Sequence, residues 1–278
     1  MLLSTRAACV IGWPIRHSRS PLIHGYWIRQ HGLDADYRRE AVEPAAFADF
    51  VRNLSAHGYT GANVTIPHKE MALELSEPDD RARAVGAANT LWLDGGRLRS
   101  TNTDVEGFTA NLDDAVPGWA QRSGDALVLG AGGSARAVVY GLIERGVARI
   151  NVVNRTIDRA NELARRFGPA VQPADWSALP GLLSNTSLLV NTTSLGMTGQ
   201  PPLEIDLGPL PAHAIVTDLV YAPLKTSLLG AAEARGLATA DGLGMLLHQA
   251  VRGFELWFGV RPQVTSELRK LVETDLTK

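Results

Sequence analysis

Two short stretches of this 278-residue chain hold residue types suited to proton transfer and anion binding. The first is Asn63-Val64-Thr65-Ile66-Pro67-His68-Lys69. Strand alternation would put Val64 and Ile66 on one face and Asn63 and Thr65 on the other. Lys69 then falls in the first turn of the next helix, where a cation opposes the helix dipole and adds little stability. An ammonium there can protonate a carbonyl oxygen as it is reduced, and a neutral lysine can take the proton back. An exposed lysine at a helix start is the plain structural alternative. The second stretch is Gly130-Ala131-Gly132-Gly133-Ser134-Ala135, a G-x-G-x-x-A turn between an apolar strand and a helix. Such glycines allow a tight turn and a close backbone approach to a pyrophosphate at the helix N-terminus. A second strand ends in Asn154-Arg155-Thr156, with no acid to bond the ribose 2′-hydroxyl of NAD. Arg155 offers a charged planar fork and Thr156 a hydroxyl, which suits the 2′-phosphate of NADP.

Other polar residues are weaker singly. Asp104, after Thr101-Asn102-Thr103, is suited to cap the helix that follows. Ser20, before Pro21, reads as another cap, which leaves Ser18 unexplained. Gln249 lies off the apolar face of the last long helix, on the side that carries Met245. His17, His24, His57, His68 and His248 show no metal-ligand spacing, so no metal is expected, and they read as surface or locally bonded histidines.

The elements that must position these residues alternate as in an α/β protein. Strands are expected at 7–13, 36–42 and 61–66, with helices at 21–31 and 44–57 and a third opening at Pro67. Asp94-Gly95-Gly96 signals a hairpin between 90–93 and 97–101. After a Pro/Gly-rich stretch at 116–124, short apolar runs at 126–129, 150–153, 188–191 and 214–219 read as parallel strands. The fold class is therefore an N-terminal α/β domain (1–116), a Rossmann-like dinucleotide-binding domain (117–242), and C-terminal helices (243–278). The helix at 243–258 repeats apolar residues at 243, 246, 247, 250, 254 and 257 and is expected to pack back on the first domain.

Taken in order, these segments resemble the shikimate dehydrogenase family along nearly the whole chain. The resemblance runs through His17-Ser18-Arg19-Ser20-Pro21, Asn63 to Lys69, Gly86-Ala87-Ala88-Asn89-Thr90 and Asn102-Thr103-Asp104-Val105-Glu106-Gly107-Phe108. It continues in the glycine turn, Asn154-Arg155-Thr156, Asn191-Thr192-Thr193-Ser194-Leu195-Gly196-Met197 and Asp218-Leu219-Val220-Tyr221-Ala222-Pro223. It closes in Gly242-Leu243-Gly244-Met245-Leu246 with Gln249, then Phe254-Glu255-Leu256-Trp257.

The resemblance implies NADP-dependent reduction of 3-dehydroshikimate to shikimate in aromatic biosynthesis. Lys69 and Asp104 match the catalytic pair, with the carboxylate orienting the ammonium. Ser18, Ser20, Thr65, Asn89, Asp104, Tyr221 and Gln249 match substrate-binding positions, the serines and Tyr221 toward a carboxylate and the others toward ring hydroxyls. Gly130, Ala131, Gly132, Gly133, Ser134, Ala135, Asn154, Arg155, Thr156, Arg159, Leu219, Gly242 and Met245 match the cofactor side, with Asp80 a weaker match. A cleft between the domains is the expected place for both ligands. Two departures are visible: Trp13 before Pro14, and Ala222 in place of an asparagine. A broad quinate/shikimate dehydrogenase is the neighbouring reading, and a non-catalytic NADP-binding regulator the distant one.

Composition narrows the partners. With 27 basic and 29 acidic side chains, the formal net charge of -2 offers no footprint for nucleic acid or an anionic membrane. The single Cys9 cannot form an intrachain disulfide. The first six residues lack a secretion signal's layout, so the cytoplasm is the expected location. The uncharged stretch 176–203 is broken by prolines and is not expected to span a membrane. At this length no fused dehydratase domain is expected. The sequence sets no oligomeric state, and a homodimer is the assembly kept open.

Overall fold

The computed structural model describes residues 6–277; the stretch read for a secretion signal lies, apart from Arg6, outside the described residues. The chain divides into two compact units. The first runs to Thr103 and resumes over Gln249–Asp275; the second holds Asp104–His248.

The first unit contains β1 (Arg6–Gly12), α1 (Ser20–Gln30), β2 (Ala35–Ala41), α2 (Pro44–Arg52) and β3 (Tyr59–Val64). It continues with α3 (Lys69–Glu74), β4 (Glu77–Pro78), α4 (Asp80–Val85), β5 (Thr90–Asp94) and β6 (Arg97–Thr101). Its six strands are ordered β2-β1-β3-β5-β6-β4. β1 pairs in parallel with β2 and β3 and is buried from Ala7 to Gly12, as befits a central strand. β5 is antiparallel to both β3 and β6. The β5–β6 turn closes on Gly95 (φ +57°) and Gly96 (φ +81°), two left-handed positions that explain the Gly-Gly pair.

The second unit begins with α5 (Asp104–Ala115), β7 (Asp125–Leu129), α6 (Gly133–Glu144), β8 (Ile150–Asn154), α7 (Ile157–Phe167) and β9 (Val171–Asp175). It continues with α8 (Leu179–Leu182), β10 (Thr186–Asn191), β11 (Ile215–Asp218), α9 (Ser227–Ala234) and β12 (Ala238–Ala240). Its strands lie in the order β9-β8-β7-β10-β11-β12, all parallel. This is the doubly wound dinucleotide-binding order, with a switch point between β7 and β10. Residues of β7 alternate between two cores: Ala126 and Val128 pack with α5 and α6, and Leu127 and Leu129 with Leu179 and Leu228. The uncharged 176–203 stretch supplies α8 and the inner strand β10, and no helix among the described residues is long and apolar enough to cross a membrane.

α10 (Gly242–Phe258) starts in the second unit and enters the first at Gln249, followed by α11 (Ser266–Leu276). In the first unit the Trp257 indole donates to the Leu91 carbonyl (2.8 Å). Gly61 makes room for it, since a Cβ there would come within 2.1 Å of the Trp257 ring nitrogen. The units change over at 103/104 and 248/249, not at the expected 116/117 and 242/243. The cause is α5, whose Phe108 and Leu112 belong to the core of the second sheet.

Candidate active site

In the first unit the candidate residues gather at the C-terminal ends of β1 and β3. β3 stops at Val64, two residues earlier than alternation suggested, and Ile66 is 73% exposed instead of sharing the buried face of Val64. The Thr65 N–H donates to Ile11 O (2.9 Å), holding Thr65 beside β1. Lys69 is the first residue of α3, and its carbonyl accepts from Ala88 N (2.9 Å). The neighbouring Asn89 is buried, with Oδ1 accepting from the Thr103 N–H (2.8 Å) and Nδ2 donating to Thr103 Oγ1 (3.0 Å). The segments after Lys69 and before Asp104 are thereby fixed to one another. Asp104 opens α5 and is only 8% exposed, so it is the first helical residue and not the residue ahead of the helix.

Ser20 does not cap α1. The helix starts at Ser20 itself, no side chain caps it, and the Ser20 N–H donates to Ser18 Oγ (3.3 Å). The local bond thus runs to Ser18, the serine that capping left unexplained. Two arginines missed by sequence reading brace this turn. Arg39 donates twice to the Ser18 carbonyl (3.0 and 2.8 Å), and Arg19 donates to His17 O and pairs with Asp275 (2.6 Å). Asp80 opens α4, where its exposed carboxylate pairs with Arg83 (3.1 Å).

The histidines need correction. His68 is buried, stacks on Phe47 at 4.3 Å and bonds Val42 O (2.8 Å) through Nε2; burial lowers its pKa. His248 pairs with Asp114 (2.9 Å). His24 is neither exposed nor locally bonded. It lies between Tyr37 (4.0 Å) and Phe254 (5.9 Å), with Trp27 edge-on. Asn63 is the polar side chain beside it, yet neither ring nitrogen meets a partner in hydrogen-bonding geometry. Burial lowers its pKa to about 3. Among the described residues no cluster of His, Cys, Asp or Glu could hold a metal ion.

In the second unit the glycine turn sits at the switch point. Gly130 has φ +98°, and a Cβ there would approach Thr192 Oγ1 to 2.7 Å; that hydroxyl donates to Leu129 O (2.7 Å). At Gly132 and Gly133 a Cβ would meet nothing within 4 Å, and no side chain caps α6. The uncapped N-terminus over open glycines fits a pyrophosphate. Asn154 Nδ2 donates to the Thr156 carbonyl (2.8 Å), and Arg155, Thr156 and Arg159 are exposed. Beside them lies a cavity of about 530 Å³ lined by Ala131, Leu163, the acidic Glu162 and four arginines, Arg136, Arg159, Arg165 and Arg166. The four arginines outweigh the one carboxylate and fit the dianionic adenosine end of NADP. Arg136 and Arg166 were missed. Their signals were a cation in the first turn of α6 and the spacing 159, 162, 163, 166 along one face of α7.

The loop that carries Leu219 and Tyr221 hangs on a buried carboxylate. Asp218 accepts from Asn191 Nδ2 (2.9 Å), Val220 N (3.0 Å) and Thr226 Oγ1 (2.8 Å). Burial raises its pKa, opposed by those bonds. Gly242 begins α10 against this loop, where a Cβ would come within 2.3 Å of Leu219 O. Met245 and Leu219 both pack on the α6 core, while Gln249 is the first α10 residue of the other unit.

Residues 10–91 match the shikimate dehydrogenase substrate binding domain, 118–197 shikimate / quinate 5-dehydrogenase, and 242–270 the shikimate 5′-dehydrogenase C-terminal domain. A shikimate dehydrogenase (NADP(+)) of Nitrobacter winogradskyi is 69% identical, over 98% of this chain and 97% of that one. A Thermus thermophilus shikimate 5-dehydrogenase solved with NADP(H) and shikimate is 33% identical, with a TM-score of 0.84 over 98% of each chain. A quinate dehydrogenase of Corynebacterium glutamicum solved with NAD is 31% identical, with a TM-score of 0.88 over 97% of this chain and 99% of that one.

Proposed function

The chain belongs to the shikimate dehydrogenase family, and we infer that it catalyses the reversible NADPH-dependent reduction of 3-dehydroshikimate to shikimate in aromatic biosynthesis. NADP, when bound, supplies or accepts the hydride. The site assignment rests on one observation above all: Ala88 and Asn89 tie the backbone of Lys69 to Thr103, the residue before Asp104.

Lys69 gives its ammonium proton to the oxygen of the ketone as it becomes an alcohol, and takes that proton back in the reverse direction. Asp104 orients the ammonium. The hydroxyls of Ser18 and Ser20, assisted by Tyr221, bond the substrate carboxylate, and Thr65, Asn89 and Gln249 read ring hydroxyls. Gly130 to Ala135 hold the pyrophosphate, Arg155, Thr156 and Arg159 the 2′-phosphate, and Leu219, Gly242, Met245 and Asp80 are further cofactor-side positions. The cytoplasm is the proposed compartment, supported by a single, buried thiol at Cys9. A homodimer is the proposed assembly, to be checked by sedimentation.

Steady-state kinetics with shikimate and quinate, each with NADP and NAD, test the reading. The expected result is the highest kcat/KM for shikimate with NADP. A higher value for quinate, or for NAD, overturns the corresponding choice.

A further inference from the structure

Tyr37 sits in the middle of β2 and has no place in the site as described so far. It is buried, with the His24 ring flat against it at 4.0 Å and 14°. Its hydroxyl donates to Asn63 Oδ1 at 2.6 Å, a short and buried bond. That donation fixes which way the Asn63 amide faces, because only the Nδ2 side can then donate. Nδ2 points to Asn89 O (3.4 Å) and Thr90 Oγ1 (3.3 Å). Thr90 Oγ1 lies within hydrogen-bonding distance of both Asn89 Oδ1 (3.1 Å) and Thr103 Oγ1 (3.2 Å). Asn89 Oδ1 also receives the Thr103 N–H at 2.8 Å. An unbroken buried network of hydrogen bonds therefore runs from Tyr37 through Asn63 and Thr90 to Asn89 and Thr103.

We propose that Tyr37 is a positioning residue of the substrate site, setting the Asn63 amide and, through it, the orientation of Asn89 and of the peptide that leads into Asp104. The inference rests on the substrate-site reading above and deepens it. The first bond has a defined donor, the Tyr37 hydroxyl, and removing it leaves a buried carbonyl oxygen unpaired. The Asn63 amide can then rotate, and the order of the whole cluster is lost. The aromatic packing does not depend on the hydroxyl, since His24 and Trp257 contact the ring.

Tyr37→Phe removes the hydroxyl and keeps the ring. The expected result is a rise of about three- to tenfold in KM for shikimate, the range of one lost hydrogen bond. KM for NADP should stay within about twofold, because no cofactor residue belongs to the network. Hydrogen exchange of the Thr103 amide, which Asn89 Oδ1 holds, should speed up in the variant without any ligand present. Asn63→Ala should show the same pattern, and the Tyr37→Phe/Asn63→Ala double variant should be no worse than Asn63→Ala alone. Additive effects, an equal change in both KM values, or unchanged exchange at Thr103 would overturn the proposal. The wild-type rate with shikimate tests the function itself, whereas exchange at Thr103 reports on Tyr37 whichever substrate is turned over.

Discussion

Lys69 is the proposed proton donor, and the backbone around it is tied down. Its carbonyl is tied to Ala88, and Asn89 to Thr103. Lys69→Ala should lower kcat by about 10²–10⁴-fold, the usual worth of a general acid, and leave the melting temperature nearly unchanged. A variant with wild-type kcat would remove Lys69 from the reaction. Ser18→Ala should cost about 1.5–3 kcal/mol in kcat/KM for shikimate, as for a lost bond to a charged group. The residue types and spacing of Ser18, Lys69 and Asp104 were legible in the sequence. His24 was not, because its surroundings come from residues 37, 254 and 257, which no local pattern links to it. Its pKa is lowered from 6.5 to about 3, so the folded protein resists a proton that the unfolded chain accepts. This contribution is intact above pH 6.5 and is lost as pH falls through the window toward 3, at up to about 1.4 kcal/mol per pH unit. Denaturant melts between pH 7 and pH 4 should show a shallower decline for His24→Phe than for the wild type. Parallel declines would show that this imidazole takes no part in the acid sensitivity.

At the scale of elements, the parallel sheet places its chemistry at strand ends. β7 ends in the glycine turn, and β8 ends at Asn154, ahead of Arg155 and Thr156. The G-x-G-x-x-A spacing and the missing acid after β8 were readable because they depend on backbone freedom and charge at fixed offsets. Arg136 and Arg166 were harder to read, since their relevance appears only where α6 and α7 line one cavity. Asp218 was harder still, since a buried carboxylate cannot be told from an exposed one by type. The double change Arg155→Ala with Thr156→Asp removes a cation and places a carboxylate where a 2′-phosphate is expected. The ratio of kcat/KM for NADP over NAD should fall strongly, chiefly through loss with NADP, because removing repulsion does not by itself build an NAD site. KM for shikimate should barely move, since its proposed contacts lie elsewhere. An unchanged cofactor ratio would mean that the strand end does not select the cofactor.

The molecule is two compact units, and the chain crosses between them at Thr103–Asp104 and within α10. Alternation of apolar runs with helical periods was enough to read two α/β domains and a returning last helix. The exact changeover was not legible, because α5 has an apolar face that would suit either core until Phe108 and Leu112 are seen beside Val138 and Leu142. The second half of α10 stabilises the first core at a place set by one glycine. Gly61 lies in β3, and a Cβ there would come within 2.1 Å of the Trp257 ring and 2.4 Å of Leu91 O. Neither neighbour can yield easily, since Trp257 donates to that same carbonyl and contacts His24 and Tyr37. Gly61→Ala should therefore destabilise the first unit by about 1–3 kcal/mol, the usual cost of overpacking. The glycine turn and the arginine-lined cavity belong to the other unit and share no residue with this contact. NADP affinity should consequently survive under conditions where the variant is still folded, while shikimate turnover is lost at a lower temperature than in the wild type. Thermal melts followed by tryptophan fluorescence, paired with NADP titrations well below the new midpoint, separate the two effects. Loss of NADP affinity in step with stability would show that the two cores unfold as one and that Gly61 guards the whole chain.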